Sequence, residues 1–228
     1  MKPLIVANWK CNPNSLSEAK KLFHSVAQGV KNIKKAEVVI CPPFLYLFSL
    51  GSGLKLGAQD CFWEEKGAYT GEISPLMLKN LGCRYVIIGH SERRKYLKET
   101  DGMINNKIKA VLRSGLRPIL CVANLNQLKG GLKTIKKSKL KIKNLILAYE
   151  PVFAIGTGKA CSVAKAKKVR ISIRNRFAKN IPVLYGGSVN PHNAGSYIKE
   201  GGFQGLLIGG ASLNPKDFLN ILKNIDKI

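Results

Sequence analysis

Eight short apolar runs recur along the chain, and helical spacing fills the intervals between them. They are Leu4-Ile5-Val6-Ala7, Val38-Val39-Ile40-Cys41, Leu54-Lys55-Leu56-Gly57-Ala58, Tyr85-Val86-Ile87-Ile88-Gly89, Pro118-Ile119-Leu120-Cys121-Val122, Leu145-Ile146-Leu147-Ala148-Tyr149, Pro182-Val183-Leu184-Tyr185 and Leu206-Leu207-Ile208-Gly209. Apolar runs without alternation belong to strands buried on both faces, hence parallel, and parallel neighbours need helical crossovers. Ala19, Leu22, Phe23, Val26, Ala27 and Val30 supply one at helical spacing, behind a Ser15-Leu16-Ser17-Glu18 capping box. Ser74-Pro75 opens another that Gly82 ends. After the sixth run Val169, Ile173 and Phe177 form a stripe, with Lys165, Lys168, Arg170, Arg174 and Lys179 expected to face solvent; Phe218, Leu222 and Ile225 repeat the stripe in the last helix. Eight strand–helix pairs in 228 residues, near the ~250 typical of such folds, predict an α/β protein built as a closed (β/α)8 barrel. Eight parallel strands with outer helices then form a single domain over residues 1–228. An open doubly wound sheet is the alternative, but no Gly-x-Gly-x-x-Gly follows the first run.

With 45% apolar residues the chain can fill a sizeable core. The opening run is too short for a signal-peptide core and nothing later approaches a membrane span, so a cytoplasmic protein with no membrane partner is expected. Cys11, Cys41, Cys61, Cys83, Cys121 and Cys161 stand 20 or more residues apart with no Cys-x-x-Cys pair, which removes zinc spacing and points to reduced thiols. The net charge of +25 raises nucleic acid or an acidic surface as a partner. Against nucleic acid, the densest stretch, Lys129 to Lys143, holds seven lysines in fifteen residues but no aromatic to stack on a base. Leu132, Ile135, Leu140 and Ile142 interleave with those lysines as the apolar side of an amphipathic segment. A positive field also draws in a small dianionic substrate, although salt screens it beyond ~10 Å at 0.1 M.

In a barrel the chemistry sits where strands finish. The sixth run ends in Glu150, followed by Pro151 and the glycine-punctuated loop to Gly158. A carboxylate is costly at the tip of a buried strand unless it has chemical use, so Glu150 reads as a base beside a lid. The first run leads into Asn8-Trp9-Lys10 and the fourth into Gly89-His90-Ser91-Glu92-Arg93-Arg94. Gly186-Gly187-Ser188 and Gly209-Gly210-Ala211-Ser212 follow the last two runs, the place where barrels commonly hold a phosphate on backbone N–H groups. Singly, each has an ordinary reading: a solvated lysine, a structural histidine, a tight turn. His24 and His192 receive no role.

Together with Gly67-Ala68-Tyr69-Thr70-Gly71-Glu72-Ile73-Ser74 and Ala148 through Gly158, these segments resemble, in order and over almost the whole chain, the triosephosphate isomerase family, for which the TIM barrel is named. The resemblance implies interconversion of dihydroxyacetone phosphate and D-glyceraldehyde 3-phosphate through an enediolate, with no cofactor and no metal. It makes Glu150 the base, His90 a neutral imidazole on the substrate oxygens and Lys10 the cation beside the oxyanion, a pairing of acid and base long known from this family. It places the substrate against Asn8, Lys10, Gly156, Ser188, Gly209 and Gly210. Ser91 and Glu92 take supporting parts, Glu92 as a brace for Lys10 or for a subunit contact. A homodimer is implied through the Gln59-Ser74 loop, with Thr70 reaching the partner. The chain departs from the family pattern in four places. Phe153 replaces the usual Trp of Pro-Val-Trp, and Ala123-Asn124 replaces Gly-Glu after Cys121-Val122, removing a carboxylate. Asn124 to Tyr149 is short, and Cys11 stands where many relatives have Met, which suggests a weaker dimer. A polyanion-binding basic protein and an inactive barrel remain as other readings.

Overall fold

The computed structural model describes residues 2–51, 53–133, 135, 142–154, 156, 158–177 and 180–228, and in it the eight runs are strands. They are β1 (Leu4–Asn8), β2 (Glu37–Cys41), β3 (Lys55–Ala58), β4 (Tyr85–Ile88), β5 (Arg117–Val122), β6 (Ile146–Tyr149), β7 (Val183–Tyr185) and β8 (Gly205–Ile208), each within a residue or so of its run. All neighbours pair in parallel, and β1 pairs both β2 (Leu4 opposite Glu37) and β8 (Leu4 opposite Gly205), which closes the barrel.

Among the described residues the helices are α1 (Leu16–Val30), α2 (Phe44–Leu47), α3 (Pro75–Asn80), α4 (Ser91–Tyr96), α5 (Asp101–Arg113), α6 (Leu125–Gly131), α7 (Val163–Phe177), α8 (Ala194–Lys199) and α9 (Pro215–Asp226). Local sequence sets their starts. Ser15 Oγ accepts the Glu18 N–H at α1, Ser74 Oγ accepts the Met77 N–H at α3, and Gly82 beyond α3 takes φ +85°, a conformation that favours glycine. In the fifth crossover α6 has seven residues, and its cap is Asn124, whose side chain accepts from Asn126 N and Gln127 N. Of the lysine-rich stretch, Leu132 and Ile135 are buried while Lys129, Lys133 and Lys143 are exposed; Leu140 lies outside the described residues, as does Lys179.

Period-two alternation divides the core into two layers. Leu4, Val6, Val39, Cys41, Tyr85, Ile87, Ile119, Cys121, Ile146, Ala148, Leu184 and Leu207 fill the barrel, while Ile5, Ala7, Val86, Ile88 and Leu147 face the helices. Val169 and Phe177 are partly buried, and Ile173, Phe218, Leu222 and Ile225 are fully so. One helical assignment is corrected. Arg170 is buried, its Nε donating to the Gly201 carbonyl at 2.8 Å and its guanidinium lying against Gly202 in the turn after α8. A cation can be buried where its N–H groups find carbonyl acceptors, and the helical pattern alone does not reveal the acceptor.

Candidate active site

Alternation carries two side chains straight to the mouth of the barrel. Asn8 continues the inward row Leu4, Val6, and Glu150 continues the inward row Ile146, Ala148. His90 and Lys10 need backbone devices. On β4 the alternation would send His90 outward with Val86 and Ile88, but Gly89 takes φ +69° and breaks it; a Cβ there would come within 2.9 Å of Ile104. Lys10 itself sits at φ +55°, an uncommon conformation for a residue with a side chain. Asn8 Oδ1 accepts the Lys10 N–H at 3.0 Å, and Gln59 Nε2 donates to the Lys10 carbonyl at 2.8 Å and to the Cys41 carbonyl at 2.9 Å. Gln59 was not singled out by the motifs, although it follows β3 directly and inspection of every strand end would have found it.

Asn8, Lys10, His90 and Glu150 line one cavity of about 300 Å³. Asn8, Lys10, His90, Glu150, Gly156, Ser188, Gly209 and Gly210, the whole predicted set, are on its wall, joined by Gly158, Gly186, Gly187, Asn190 and others. Glu150 is 2% exposed. One of its carboxylate oxygens lies 3.3 Å from His90 Nε2, and the other accepts the Ser91 N–H at 3.3 Å. Burial, then the charge of Glu150, pushes the buried Cys121 thiol well above its usual range.

His90 caps α4 with its own ring, Nδ1 accepting the Glu92 N–H at 3.3 Å. An amide can donate only to an unprotonated ring nitrogen, so this bond leaves the imidazole hydrogen on Nε2, facing Glu150 and the cavity. Lys10 Nζ meets Glu92 Oε1 at 2.5 Å. With side chains 25% and 38% exposed, that pair positions the ammonium more than it stabilises the fold.

The opposite wall is built of turns. At Gly186 a Cβ would stand 2.9 Å from Glu150 Cγ, and at Gly209 3.1 Å from Lys10 Cε, so these glycines make room for the two charged side chains. Neither needs a left-handed backbone. The Ser212 amide and hydroxyl both donate to the Gly209 carbonyl, at 2.8 and 2.7 Å, which fixes the turn at Gly210. Ser188 Oγ donates to the Ala154 carbonyl at 2.5 Å and ties the β7 turn to the segment after Pro151. In that segment Gly156 and Gly158 have φ +68° and +72°; Ile155 and Thr157 lie outside the described residues. Phe153, half exposed, has Lys165 Nζ over its ring at 4.9 Å. His24 and His192 are exposed and neither is on the cavity wall.

The comparisons with known proteins agree with this geometry. The family model described as triosephosphate isomerase matches residues 3–225. A triosephosphate isomerase of Thermoanaerobacter pseudethanolicus is 44% identical over 248 residues, covering 97% of this chain and 98% of that protein. One from Dehalococcoides mccartyi is 46% identical over 246 residues, covering 98% and 96%. The crystal structure of triosephosphate isomerase from Bartonella henselae superposes with a TM-score of 0.80 at 34% identity, over 98% of this chain and 99% of that one. A strand-end set of residues in one cavity, with likeness of sequence and structure from end to end, leaves one conclusion: the chain belongs to the triosephosphate isomerase family.

Proposed function

We infer that the chain interconverts dihydroxyacetone phosphate and D-glyceraldehyde 3-phosphate, and that its barrel over residues 1–228 works as one domain. The observation that carries the reading is the buried Glu150 carboxylate 3.3 Å from the Nε2 of His90, in a cavity whose far wall is Gly156, Ser188, Gly209 and Gly210. Glu150 takes a proton from the carbon beside the carbonyl and returns it to the neighbouring carbon. Electrons flow into the carbonyl as the enediolate forms, and its oxygens lie against the His90 Nε2–H, with the Lys10 ammonium as counter-charge and Asn8 as its orienter. A neutral imidazole suits this role because its acidity lies closer to that of an enediol than an imidazolium's does. N–H groups of the four wall residues hold the phosphate, and phosphate binding draws the lid over the reacting carbons. The reaction only relocates protons, so side chains suffice.

A coupled assay with glyceraldehyde 3-phosphate tests the activity. Glu150→Asp should lose about 10²-fold or more of turnover while still binding a phosphate analogue. A fully active variant overturns the assignment of the base.

A homodimer through the Gln59-Ser74 loop belongs to the same reading. Residues 64–72 are all exposed, a finger projecting from a well-held root. Phe62 N donates to the Ile73 carbonyl at 2.8 Å, Tyr69 packs on Phe62, and at the root Asp60 is bound by Arg93 (2.9 Å) and Lys107 (2.6 Å). Leu45 and Phe48, 72% and 84% exposed, add apolar surface that a partner would cover. Sedimentation of a monomer at tens of micromolar would remove the dimer; a constant in the range of well-packed relatives would remove only its weakness at Cys11. The free cysteines, five of them buried, and the lack of any described helix long and apolar enough to cross a membrane support a cytoplasmic enzyme serving glycolysis and gluconeogenesis.

A further inference from the structure

Between Asp101 and Glu200 the chain holds a single acidic residue, Glu150, and its carboxylate lies in the cavity at the barrel mouth. The helices of that stretch on either side of β6, α6 and α7, carry cations but no acid, and Lys129, Lys165, Lys167 and Lys168 are exposed. A hydrogen-bond donor on this side of the barrel therefore finds no carboxylate in its own segment.

An open groove of about 470 Å³ lies between the start of α6 and α7, with Tyr149, the last residue of β6, in its floor. Tyr149 belongs to the outward row that packs under the helices, is 4% exposed, and has its ring centroid 6.5 Å from that of Tyr185. Among the described residues its hydroxyl has no hydrogen-bond partner. A phenol so deeply buried is costly to leave without an acceptor. Burial also holds its pKa above the ordinary value, so near neutrality the group is a donor. Lys168 and Ser172, one turn apart on α7, line one side of the groove. Asn124 lines the other; its Oδ1 is taken by the Asn126 and Gln127 amides, which leaves the two hydrogens of its Nδ2 to the groove. Leu125 and Val169 add apolar surface, and no carboxylate is among the lining residues. Position 124 is where the family pattern has its glutamate, so this chain has lost the one negative charge that such a groove would carry.

We propose that this groove is a second binding site, for a small organic anion: a carboxylate or a phosphate monoester. The charged oxygens of the ligand accept from the Tyr149 hydroxyl, the Lys168 ammonium and the Asn124 amide, and its carbon body lies on Leu125 and Val169. The anion supplies the acceptor that the buried phenol lacks, and a charged acceptor makes that bond stronger than a neutral one would. The groove shares no lining residue with the cavity at the mouth.

Benzoate and phenyl phosphate serve as probes on the intact protein, with benzyl alcohol as their uncharged counterpart, and backbone amide shifts of Leu125, Val169 and Ser172 report the groove. The amides of Gly209 and Gly210 report the mouth separately, so an ester that settles there is told apart. At least one of the two anions should shift the groove amides saturably, and which one does so identifies the head group; benzyl alcohol should bind about tenfold more weakly or worse. Tyr149→Phe keeps the ring and should weaken binding roughly tenfold. Lys168→Ala should weaken it about threefold at low salt and less at high salt. Asn124→Asp keeps a good helix cap while returning a carboxylate to the groove, and should abolish binding with the unfolding midpoint little changed. No saturable shift with either anion at tens of millimolar, benzyl alcohol binding as tightly as the anions, or an unchanged affinity in Asn124→Asp would each overturn the proposal. Because the readout is binding rather than turnover, the outcome is independent of the isomerase reading.

Discussion

At the floor of the barrel Tyr85 donates to Glu37 at 2.5 Å, Lys55 donates to the same Glu37 oxygen at 2.8 Å, and Arg117 donates to the Tyr85 hydroxyl at 3.0 Å. At the mouth, among the described residues, the Glu150 carboxylate has an imidazole nitrogen and a backbone amide at 3.3 Å, and the nearby ammonium of Lys10 goes to Glu92 instead. Both ends bring a carboxylate toward the barrel axis, but only the floor gives its carboxylate short bonds from a phenol and an ammonium. A carboxylate locked by short charged bonds is a structural part. One held by long, exchangeable contacts is free to take a proton from a ligand and give it back, which is what a base must do. The floor should therefore report on stability and the mouth on turnover.

His90→Gln is expected to produce the largest separation, a loss of about 10²–10³ in kcat with the unfolding midpoint nearly unchanged, as removal of one donor to a developing oxyanion generally does. An activity loss matched by a fall in melting temperature would erase the contrast between the two ends. Tyr85→Phe is the complementary change and smaller. It should destabilise the fold by about 1–3 kcal/mol, read in urea, with kcat and KM held within twofold. A drop in kcat for this variant would mean that floor and mouth are coupled through the barrel.

The smallest effect is in pH. Burial pushes the Glu37 carboxyl up, but the bonds from Lys55 and Tyr85 and the charges of Lys55 and Arg117 outweigh it and hold it below the ordinary value of 4.5. A carboxyl depressed in the folded state stabilises fully above the unfolded value and loses that contribution as pH falls through the folded one. The stability gap between the parent and Glu37→Gln should thus be widest near neutrality and narrow below about pH 4.5. Burial pushes the phenol of Tyr85 up to about 12, so it remains a donor throughout this window. A gap that stays constant down to pH 3 would remove Glu37 as the titrating group.

Legibility followed the same division. Strands buried on both faces leave an unbroken apolar run, so all eight and their parallel order could be read from residue types, as could the caps at Ser15 and Ser74. Asn8 and Glu150 were also readable, since each extends an inward row by one more step of two. The bonds that Gln59 makes and the buried state of Arg170 were not, because each depends on carbonyls supplied by distant segments: Lys10 and Cys41 for one, Gly201 for the other.

Residue types alone determined the number, order and burial of the strands and the acid at the tip of the sixth, because hydrophobic periodicity and capping act over a few neighbouring residues. Only the tertiary structure decided that His90 turns inward on the left-handed Gly89 and that Lys10 meets a carboxylate 82 positions away. Those contacts form when barrel closure brings together the ends of strands far apart in the chain, and no local pattern encodes a partner that arrives by closure.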